Sequence, residues 1–351
     1  MKIIRKPKVL ILDGLKDFPI GETLKNNLNN YAKVELLKLH DQKTVSNYKI
    51  KRKLNDIEIK IKKKYKHIKK LDEKLLIDKI RIYTPEIILV IFGLYRSIDP
   101  KVIKNYCNKY KVKMILYDTD GLNIYDNGKG EFKFFLEKEL NNYDKVISFS
   151  KVFVNYLSTI KNINAVYIPY GCEIKESSIT NKFYQNDIVF FGAADLRRIF
   201  YLEAVSEKTK IFGNRWEKYK DIITPNLYTK INNGLFYGDA LYKIIDSSKI
   251  VLNITKSNYF SLGGGSNLRI FEALGRNLFV LSDKNSELAD LLKIGHEIEV
   301  FESPSELLEK TNYYLKNETK RNFIANNGFL KVKKMFSWEK IAKDIVKEII
   351  D

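Results

Sequence analysis

Short, mostly apolar runs alternate with amphipathic segments along this sequence, and the alternation passes through the chain twice. In the first half the apolar runs are Lys8–Leu12, Val34–Leu37, Ile87–Phe92, Lys113–Tyr117, Lys145–Phe149 and Ala165–Ile168. In the second half they are Asp187–Phe191, Lys210–Phe212, Lys249–Asn253, Asn277–Leu281 and Glu297–Phe301. Strands that are apolar on both faces are typical of parallel sheets covered by helices on each side. The sequence therefore predicts two consecutive doubly wound α/β halves.

The boundary between the two halves is predicted at Tyr170–Lys182, a polar stretch without apolar periodicity. We therefore expect an N-terminal domain at 1–172 and a C-terminal domain at 183–335. A final helix is predicted over Ser337–Ile350, because its first residue can cap the helix and apolar residues then recur at helical spacing. This last segment, 336–351, is expected to pack back across the domain junction.

The composition excludes several classes of protein. Of the 351 residues, 44% are hydrophobic and 13% aromatic, as expected of a globular protein with sizeable cores. The sequence has no apolar run of roughly 18 residues, so we expect no membrane-spanning helix. The two cysteines, Cys107 and Cys172, are too few for a disulfide framework and indicate a reducing, cytoplasmic setting. The three histidines are scattered, which argues against a His/Cys metal site.

The net charge of +19 is unevenly distributed along the chain. Residues 49–70 contain eleven Lys and Arg against two acidic residues. Apolar side chains recur there at intervals of three and four: Ile50, Leu54, Ile57, Ile61, Tyr65, Ile68 and Leu71. The pattern predicts a helix over Ile50–Arg81 with a cationic outer face. That face is either merely solvated or binds an anionic membrane surface, an acidic acceptor or, as the less favoured option, nucleic acid. Peripheral membrane attachment is one of these options.

A glycine-rich loop precedes a predicted short helix in the segment SLGGGSNLRIFEALGRNLFVLSD. The three glycines Gly263, Gly264 and Gly265 are followed by Ser266 and Asn267 at the helix start. Backbone N–H groups in such a loop, together with the positive end of a helix dipole, can bind a phosphate. An ordinary βα turn is the alternative, because an isolated glycine-rich loop is a weak signal.

Two charged residues on this predicted helix extend the phosphate hypothesis. Arg269 and Glu272 are three residues apart and therefore share a helix face. The arginine can pair with a phosphate, and the glutamate can accept hydrogen bonds from two ribose hydroxyls. The order of loop, cation and carboxylate describes a site for a nucleoside diphosphate.

Polar residues and glycines also follow the predicted strands, where ligands bind in open α/β sheets. In the second half these residues are Gly192, Asp195, Arg197, Arg198, Gly213, Asn214, Trp216, Asn253 and Lys256. In the first half Gly14 follows the first strand. Several such strand ends in one domain favour a nucleotide-binding crevice.

Two acidic residues follow the fourth predicted strand. Asp118 and Asp120 form an Asp-x-Asp triplet that can hold Mn²⁺ or Mg²⁺, form a plain Asp-Gly turn, or provide a general base facing the cleft. The turn and cleft-lining interpretations are favoured over the metal. The polar loop after the triplet includes Tyr125 and is a candidate for substrate contact.

Four segments of the sequence resemble segments of a known family. NLRIFEALGRNLFVLSD, VFFGAADLRRIFYL, KIFGNRW and IPYGCE resemble segments of GT-B glycosyltransferases. The closest likeness is to the CgeB-like, spore-maturation group related to the retaining glycosyltransferase family 4. The resemblance covers residues 165–350 well and the first half only in general pattern.

The resemblance implies two Rossmann-like domains that face a central cleft, with the last helix crossing back to the first domain. It implies transfer of a sugar, of the hexosyl type, from a nucleotide-diphosphate sugar, with a UDP-sugar as the favoured donor. The acceptor would be a hydroxyl of a glycan, a lipid-linked molecule or a protein or cell-surface component. Glu272 would hold the donor ribose, and Arg269 with the glycine loop would bind the diphosphate. No metal or other cofactor is expected to be required.

One position departs from the family pattern. Family 4 members carry two glutamates eight positions apart, and Gly264 stands at the earlier position. The departure leaves open whether the anomeric configuration is retained or inverted. Two alternatives to a glycan-modifying enzyme are a DNA-modifying glycosyltransferase with a basic groove and a non-catalytic nucleotide- or sugar-binding protein on a degenerate GT-B scaffold.

Overall fold

A computed structural model describes residues 5–16, 18–62, 68–119, 133–176, 184–264 and 266–350. The chain divides into two compact units. The first comprises Met1–Pro169 together with Ile341–Asp351, and the second comprises Tyr170–Lys340.

The first unit is built on a parallel sheet. Its strands are β1 (Lys8–Asp13), β2 (Lys33–Lys38), β3 (Ile87–Ile91), β4 (Lys113–Asp118), β5 (Lys145–Ser148) and β6 (Ala165–Tyr167). The spatial order is β2-β1-β3-β4-β5-β6, and each neighbouring pair is parallel. All five residues of β3 are buried, as predicted for a central strand covered on both faces.

Helices pack on both sides of these strands. They are α1 (Ile20–Leu28), α2 (Tyr48–Lys62), α3 (Glu73–Tyr83), α4 (Pro100–Tyr110) and α5 (Lys151–Asn155), and Phe135–Glu139 forms a π-helical turn. The predicted single helix over Ile50–Arg81 is wrong. Leu71 pairs with Thr44 in an isolated β-bridge and is fully buried, and Asp72 then caps α3 by accepting a hydrogen bond from the N–H of Leu75.

The second unit contains a second parallel sheet. Its strands are β7 (Asn186–Phe191), β8 (Thr209–Gly213), β9 (Ile231–Asn233), β10 (Ser248–Asn253), β11 (Val280–Asp283) and β12 (Glu299–Phe301). The order is β9-β8-β7-β10-β11-β12, again parallel throughout. The predicted start of β11 at Asn277 is three residues early, because Asn277 has a positive φ of 56° and belongs to the turn before the strand.

The helices of the second unit are α6 (Leu196–Glu203), α7 (Pro225–Tyr228), α8 (Gly238–Asp246), α9 (Ser257–Ser261), α10 (Leu268–Leu274), α11 (Ser286–Leu291), α12 (Pro304–Lys316) and α13 (Glu318–Met335). The last helix of the chain is α14 (Trp338–Ile350). Ser337 caps it as predicted, by accepting a hydrogen bond from the N–H of Lys340, and its apolar stripe is buried at Ile341, Ile345 and Ile349. No helix within the described ranges is long and apolar enough to cross a membrane.

Candidate functional site

The order of the second sheet creates a crevice between β7 and β10. The chain proceeds from β7 outward to β8 and β9, then returns to the opposite side of β7 as β10. Helices that leave two such adjacent strands diverge, so the carboxyl ends of the strands face an opening where ligands bind. Gly192 and Asn253 lie at these two strand ends, as the sequence predicted.

Two glycines allow the strand ends to pack closely. A β-carbon on Gly213 would lie 1.9 Å from the carbonyl oxygen of Gly192, and both residues have a positive φ. The buried indole of Trp216 donates a hydrogen bond to the same Gly192 oxygen at 3.2 Å. Beside it, the carbonyl oxygen of Asn214 accepts a hydrogen bond from the N–H of Ala194. These contacts therefore anchor the loop after β7 against the neighbouring strand end.

Two arginines converge on this loop. A β-carbon built on Gly192 would lie 2.6 Å from Nη2 of Arg269 and 3.3 Å from Nη1 of Arg198. Both guanidinium groups also lie over the ring of Phe190, at 5.0 and 5.4 Å from its centroid. Glycine at position 192 and the aromatic ring thus bring two like charges close together.

The environment of these arginines is unfavourable to charge. Burial lowers the pKa of Arg198 to about 10. Burial and then the charge of Arg198 hold the pKa of Arg269 well below its ordinary value. Within the described ranges, no carboxylate forms an ion pair with either guanidinium. Neighbouring cations without a paired anion are typical of a binding site for an anionic ligand.

Arg197 has a different role from its neighbour. Its Nη1 donates to Oδ2 of the buried Asp283 at 2.6 Å and to the carbonyl oxygen of Thr255 at 2.9 Å. The guanidinium carbon lies 3.6 Å from the ring centroid of Phe260. Its charge is therefore already compensated. Arg198, which sequence analysis placed at a strand end without a specific contact, is the residue that approaches the crevice.

Asn253 connects the crevice to the neighbouring strand. Its Nδ2 donates to Ser282 at 2.8 Å, while its Oδ1 accepts hydrogen bonds from Asn267 at 2.9 Å and from Nη1 of Arg269. The side chain at the end of β10 therefore orients the start of α10. The predicted site residues Asn253, Asn267 and Arg269 form one hydrogen-bonded group.

Several polar atoms in this group lack a protein partner. The hydroxyl of Ser266, Oδ1 of Asn267 and Nε of Arg269 are buried, and none forms a hydrogen bond with any described residue. Buried polar atoms are normally paired, so three such atoms within four residues indicate a ligand-binding position. Gly263 and Gly264 precede them, and Gly265 lies outside the described residues. The helix α10 has only seven residues, so these side chains contribute more to the site than a helix dipole does.

Glu272 lies one turn further along α10 than Arg269. Burial raises the pKa of Glu272 to about 7, although the charges of Arg269 and Arg276 oppose the shift. Arg276 is itself paired with Asp246 through Nε at 2.6 Å and through Nη2. The Glu272 carboxylate forms no hydrogen bond with the described protein residues, which leaves both oxygens for a ligand.

The first sheet has its own crevice, between β1 and β3, and Gly14 lies there. The N–H of Gly14 donates to the carbonyl oxygen of Ile91 at 3.2 Å. Beside it, burial raises the pKa of Asp13 to about 6, opposed by the hydrogen bond from the N–H of Leu15. The sequence did not identify Asp13, because it reads simply as the polar end of a strand.

Asp118 is buried at the end of β4. Its Oδ2 accepts a hydrogen bond from the hydroxyl of Ser148, at the end of β5, at 2.7 Å. Asp120 and Tyr125 lie outside the described residues. Within the described ranges, no cluster of three or more His, Cys, Asp or Glu side chains is arranged to hold a metal ion.

One family comparison matches the second half of the chain. Residues 197–347 match the sequence model of a family described as Glycosyl transferase-like. This part of the chain is therefore similar in sequence to glycosyl transferase-like domains. No curated protein matches the sequence.

Solved structures with a similar fold cover nearly the whole chain. A glycosyltransferase from Rickettsia africae ESF-5 is 12% identical, with a TM-score of 0.62 and 99% of each chain covered. Sucrose-phosphate synthase from Thermosynechococcus elongatus is 15% identical, with a TM-score of 0.65 and 98% of each chain covered. Anabaena Alr3699/HepE in complex with UDP-glucose is 13% identical, with a TM-score of 0.66, and the match covers 97% of this chain and 99% of that one. The fold is that of GT-B glycosyltransferases, with two Rossmann-like domains, as predicted.

Proposed function

We propose that this protein is a glycosyltransferase that moves a sugar from a nucleoside-diphosphate sugar to a hydroxyl acceptor. The observation that carries the proposal is the convergence of Arg198 and Arg269 on Gly192, at the crevice of the second sheet, without a paired carboxylate. A diphosphate would compensate both charges and restore the ordinary pKa of each guanidinium. The family match and the fold support the same activity.

The two arginines would also promote the reaction. Negative charge grows on the diphosphate as its bond to the sugar breaks. Preorganised cations in a partly buried site stabilise such charge without reorganisation at the moment of reaction. Ser266, Asn267 and the loop of Gly263 to Gly265 would complete the diphosphate contacts, and Gly192 would provide the space for them.

Glu272 would bind the donor ribose through its free carboxylate oxygens. A pKa of about 7 makes the carboxylate a good hydrogen-bond acceptor that is only partly ionised before the ligand arrives. We propose a UDP-hexose as the donor; the complex of Alr3699/HepE with UDP-glucose supports this choice. The likeness to the CgeB-like and family 4 enzymes is part of this proposal.

We assign acceptor binding to residues 1–172 and donor binding to 183–335. Asp118 and Asp120 are the proposed carboxylates for the acceptor hydroxyl, with Gly14 and Tyr125 on the same side. Asp13 is a further candidate, because its pKa of about 6 is close to the range that suits a general base. The reaction is proposed to need no metal, and the protein to act in the cytoplasm.

A non-catalytic nucleotide-binding protein is the second candidate. Gly264 favours it, because a buried glycine stands where family 4 enzymes carry a glutamate. Such a protein would keep the arginine pair and Glu272 but would transfer no sugar. A DNA-modifying glycosyltransferase would differ from the proposed enzyme in using DNA as its acceptor. Its affinity for DNA would fall steeply as the salt concentration rises.

The experiment is to incubate the protein with UDP-, GDP-, ADP- and dTDP-sugars, with and without acceptor mixtures, and to measure nucleoside diphosphate release. We expect release from one nucleotide class, strongly reduced in Arg269→Gln. Nucleotide binding without release or transfer would support the non-catalytic candidate. Absence of binding to every nucleotide would overturn both.

A further inference from the structure

The helix α2 exposes its apolar stripe. Ile50, Leu54, Ile57 and Ile61 are three or four residues apart and therefore share one helix face. Their exposed fractions are 60%, 62%, 55% and 75%. The stripe of an amphipathic helix in a globular protein normally faces the core. Four large aliphatic side chains in solvent on one face thus require an explanation.

A different side of α2, the one that bears Asn55, faces the protein. Asn55 is 8% exposed, whereas the aliphatic residues around it are in solvent. The segments on either side of the helix are anchored, since the N–H of Val45 donates to the carbonyl oxygen of Lys70 at 2.9 Å and Leu71 is fully buried. The helix is therefore attached to the first unit with its apolar stripe directed outward.

Basic side chains border the stripe. Lys49 and Lys53 lie on one side of it by helical position, Lys51 lies on the other, and all three are exposed. The surrounding segment, residues 49–70, carries eleven basic residues against two acidic ones. Lys70, the last residue of this segment, is partly buried and lies close to Arg52 and Lys16. Burial, and then the charges of these two residues, lower the pKa of Lys70.

We propose that α2 binds to the surface of an anionic membrane, with Ile50, Leu54, Ile57 and Ile61 inserted among the lipids and the lysines beside the headgroups. An apolar stripe flanked by lysines matches the boundary between acyl chains and anionic headgroups. The lysine stems also extend along the apolar layer while their ammonium groups reach the phosphates. The proposal does not depend on the enzymatic activity proposed above.

The apolar stripe favours lipid over the other anionic partners. A glycan or a nucleic acid would interact with the lysines but would leave the four aliphatic side chains in water. A second copy of this chain would cover the stripe but would bring two strongly basic segments together. Only an anionic lipid surface complements both features of the helix.

The test is co-sedimentation of the full-length protein with phosphatidylcholine vesicles and with vesicles that also contain phosphatidylglycerol. Two variants separate the two contributions: I50Q/L54Q/I57Q/I61Q removes the stripe, and K49Q/K51Q/K53Q removes flanking charge. Glutamine is a good helix former, so α2 is retained, which circular dichroism can check. We expect binding to the anionic vesicles only, weakened on the order of 100-fold in each variant.

Matched controls carry the same changes elsewhere. I82Q/I160Q/I222Q/L235Q removes four other exposed aliphatic side chains, and K334Q/K343Q/K347Q removes three other exposed lysines. Both should bind vesicles like the wild type. Vesicle binding that survives loss of the stripe would overturn the proposal. If vesicle binding is absent, two further results would also overturn the proposal. One is a dimer in sedimentation equilibrium that dissociates in the stripe variant. The other is DNA binding that needs the lysines but not the stripe.

Discussion

The guanidinium of Arg269 occupies the space next to Gly192 that any larger residue would need. A β-carbon at position 192 would lie 2.6 Å from Nη2 of Arg269, closer than two such atoms can approach. The glycine that ends β7 and the arginine on α10 are therefore one structural unit, although 77 residues separate them in the chain.

We predict that Gly192→Ala weakens UDP binding at least about tenfold, because Arg269 must move away from the diphosphate position. Calorimetric titration with UDP measures the effect. Gly238→Ala is the control for backbone strain, since Gly238 also has a positive φ, of 56°, but an added carbon there meets nothing within 4 Å. Equal UDP affinity in the wild type and in Gly192→Ala would show that Arg269 does not contact the nucleotide.

Substitutions of the adjacent residues Arg198 and Arg197 are predicted to have different effects. Arg198→Gln should reduce the stabilisation by UDP. It should change the stability of the free protein by only about 1 kcal/mol, because removal of a buried charge without an ion pair offsets the loss of its hydrogen bonds to the carbonyl oxygens of Ile254 and Ala193. Arg197→Gln leaves the Asp283 carboxylate without its ion pair and should destabilise the free protein by about 3 kcal/mol.

Thermal unfolding with and without UDP measures both effects. If Arg197→Gln loses UDP binding and stays stable, the roles of the two arginines are reversed.

Most of the two sheets could be predicted because the strands of a covered parallel sheet are apolar on both faces, and β3 is an example. The strand β9 was missed, since its three residues Ile231–Asn233 are mostly polar and exposed. Gly192 and Asn253 could also be predicted as site residues, because they follow strands at the carboxyl ends, and both lie at the crevice.

Sequence periodicity could not determine which way a helix faces. Arg197 and Arg198 differ by about 100° around α6, and contacts distant in sequence, such as Arg197 with Asp283, decide which one reaches the crevice. The same limit applies to α2. Its pattern revealed an apolar stripe, but only the packing around Asn55 shows that the stripe faces solvent.

The pH dependence of nucleotide binding should report Glu272. Its pKa of about 7 implies that the unliganded carboxyl is largely protonated at pH 6 and largely ionised at pH 8. If ribose hydroxyls donate to the carboxylate, affinity falls by up to about tenfold per pH unit below this pKa.

The Glu272→Gln variant should bind UDP more weakly than the wild type. The pH dependence of its UDP affinity should lack the contribution from ionisation of the carboxyl group. The second ionisation of the UDP phosphate, at about pH 6, is common to both proteins and cancels in the comparison. Titrations between these pH values measure the difference. Identical profiles for the two proteins would show that Glu272 does not contact the nucleoside.

The two buried aspartates of the first unit can be separated by kinetics. If Asp118 acts on the acceptor hydroxyl, Asp118→Asn should lower kcat on the order of 100-fold or more and leave UDP affinity unchanged. Asp13→Asn is the parallel test for the carboxylate beside Gly14. Ser148→Ala removes the hydrogen bond to Asp118 and serves as the control for its orientation. Full activity in both aspartate variants would exclude both as the base.

Glu139 should make the stability of the first unit depend on pH. This fully buried residue accepts hydrogen bonds from the N–H of Leu94 at 2.5 Å and the hydroxyl of Tyr143 at 2.6 Å, while Oε2 has no partner among the described residues. Burial raises its pKa from 4.5 to about 7. Because the folded state binds the proton more tightly than the unfolded state, stability is highest below about pH 4.5 and falls as the pH rises towards 7.

Glu139→Gln removes this loss, since glutamine is neutral at every pH and keeps an oxygen for the two donors. We therefore expect the variant to be more stable than the wild type by up to about 3 kcal/mol at pH 8, and the difference to shrink towards zero at pH 5. Thermal unfolding at the two pH values measures it. Glu137→Gln changes an exposed glutamate on the same turn and should have no such effect. A Glu139→Gln variant that is equally destabilised at both pH values would show that the carboxylate is ionised and satisfied in the folded protein.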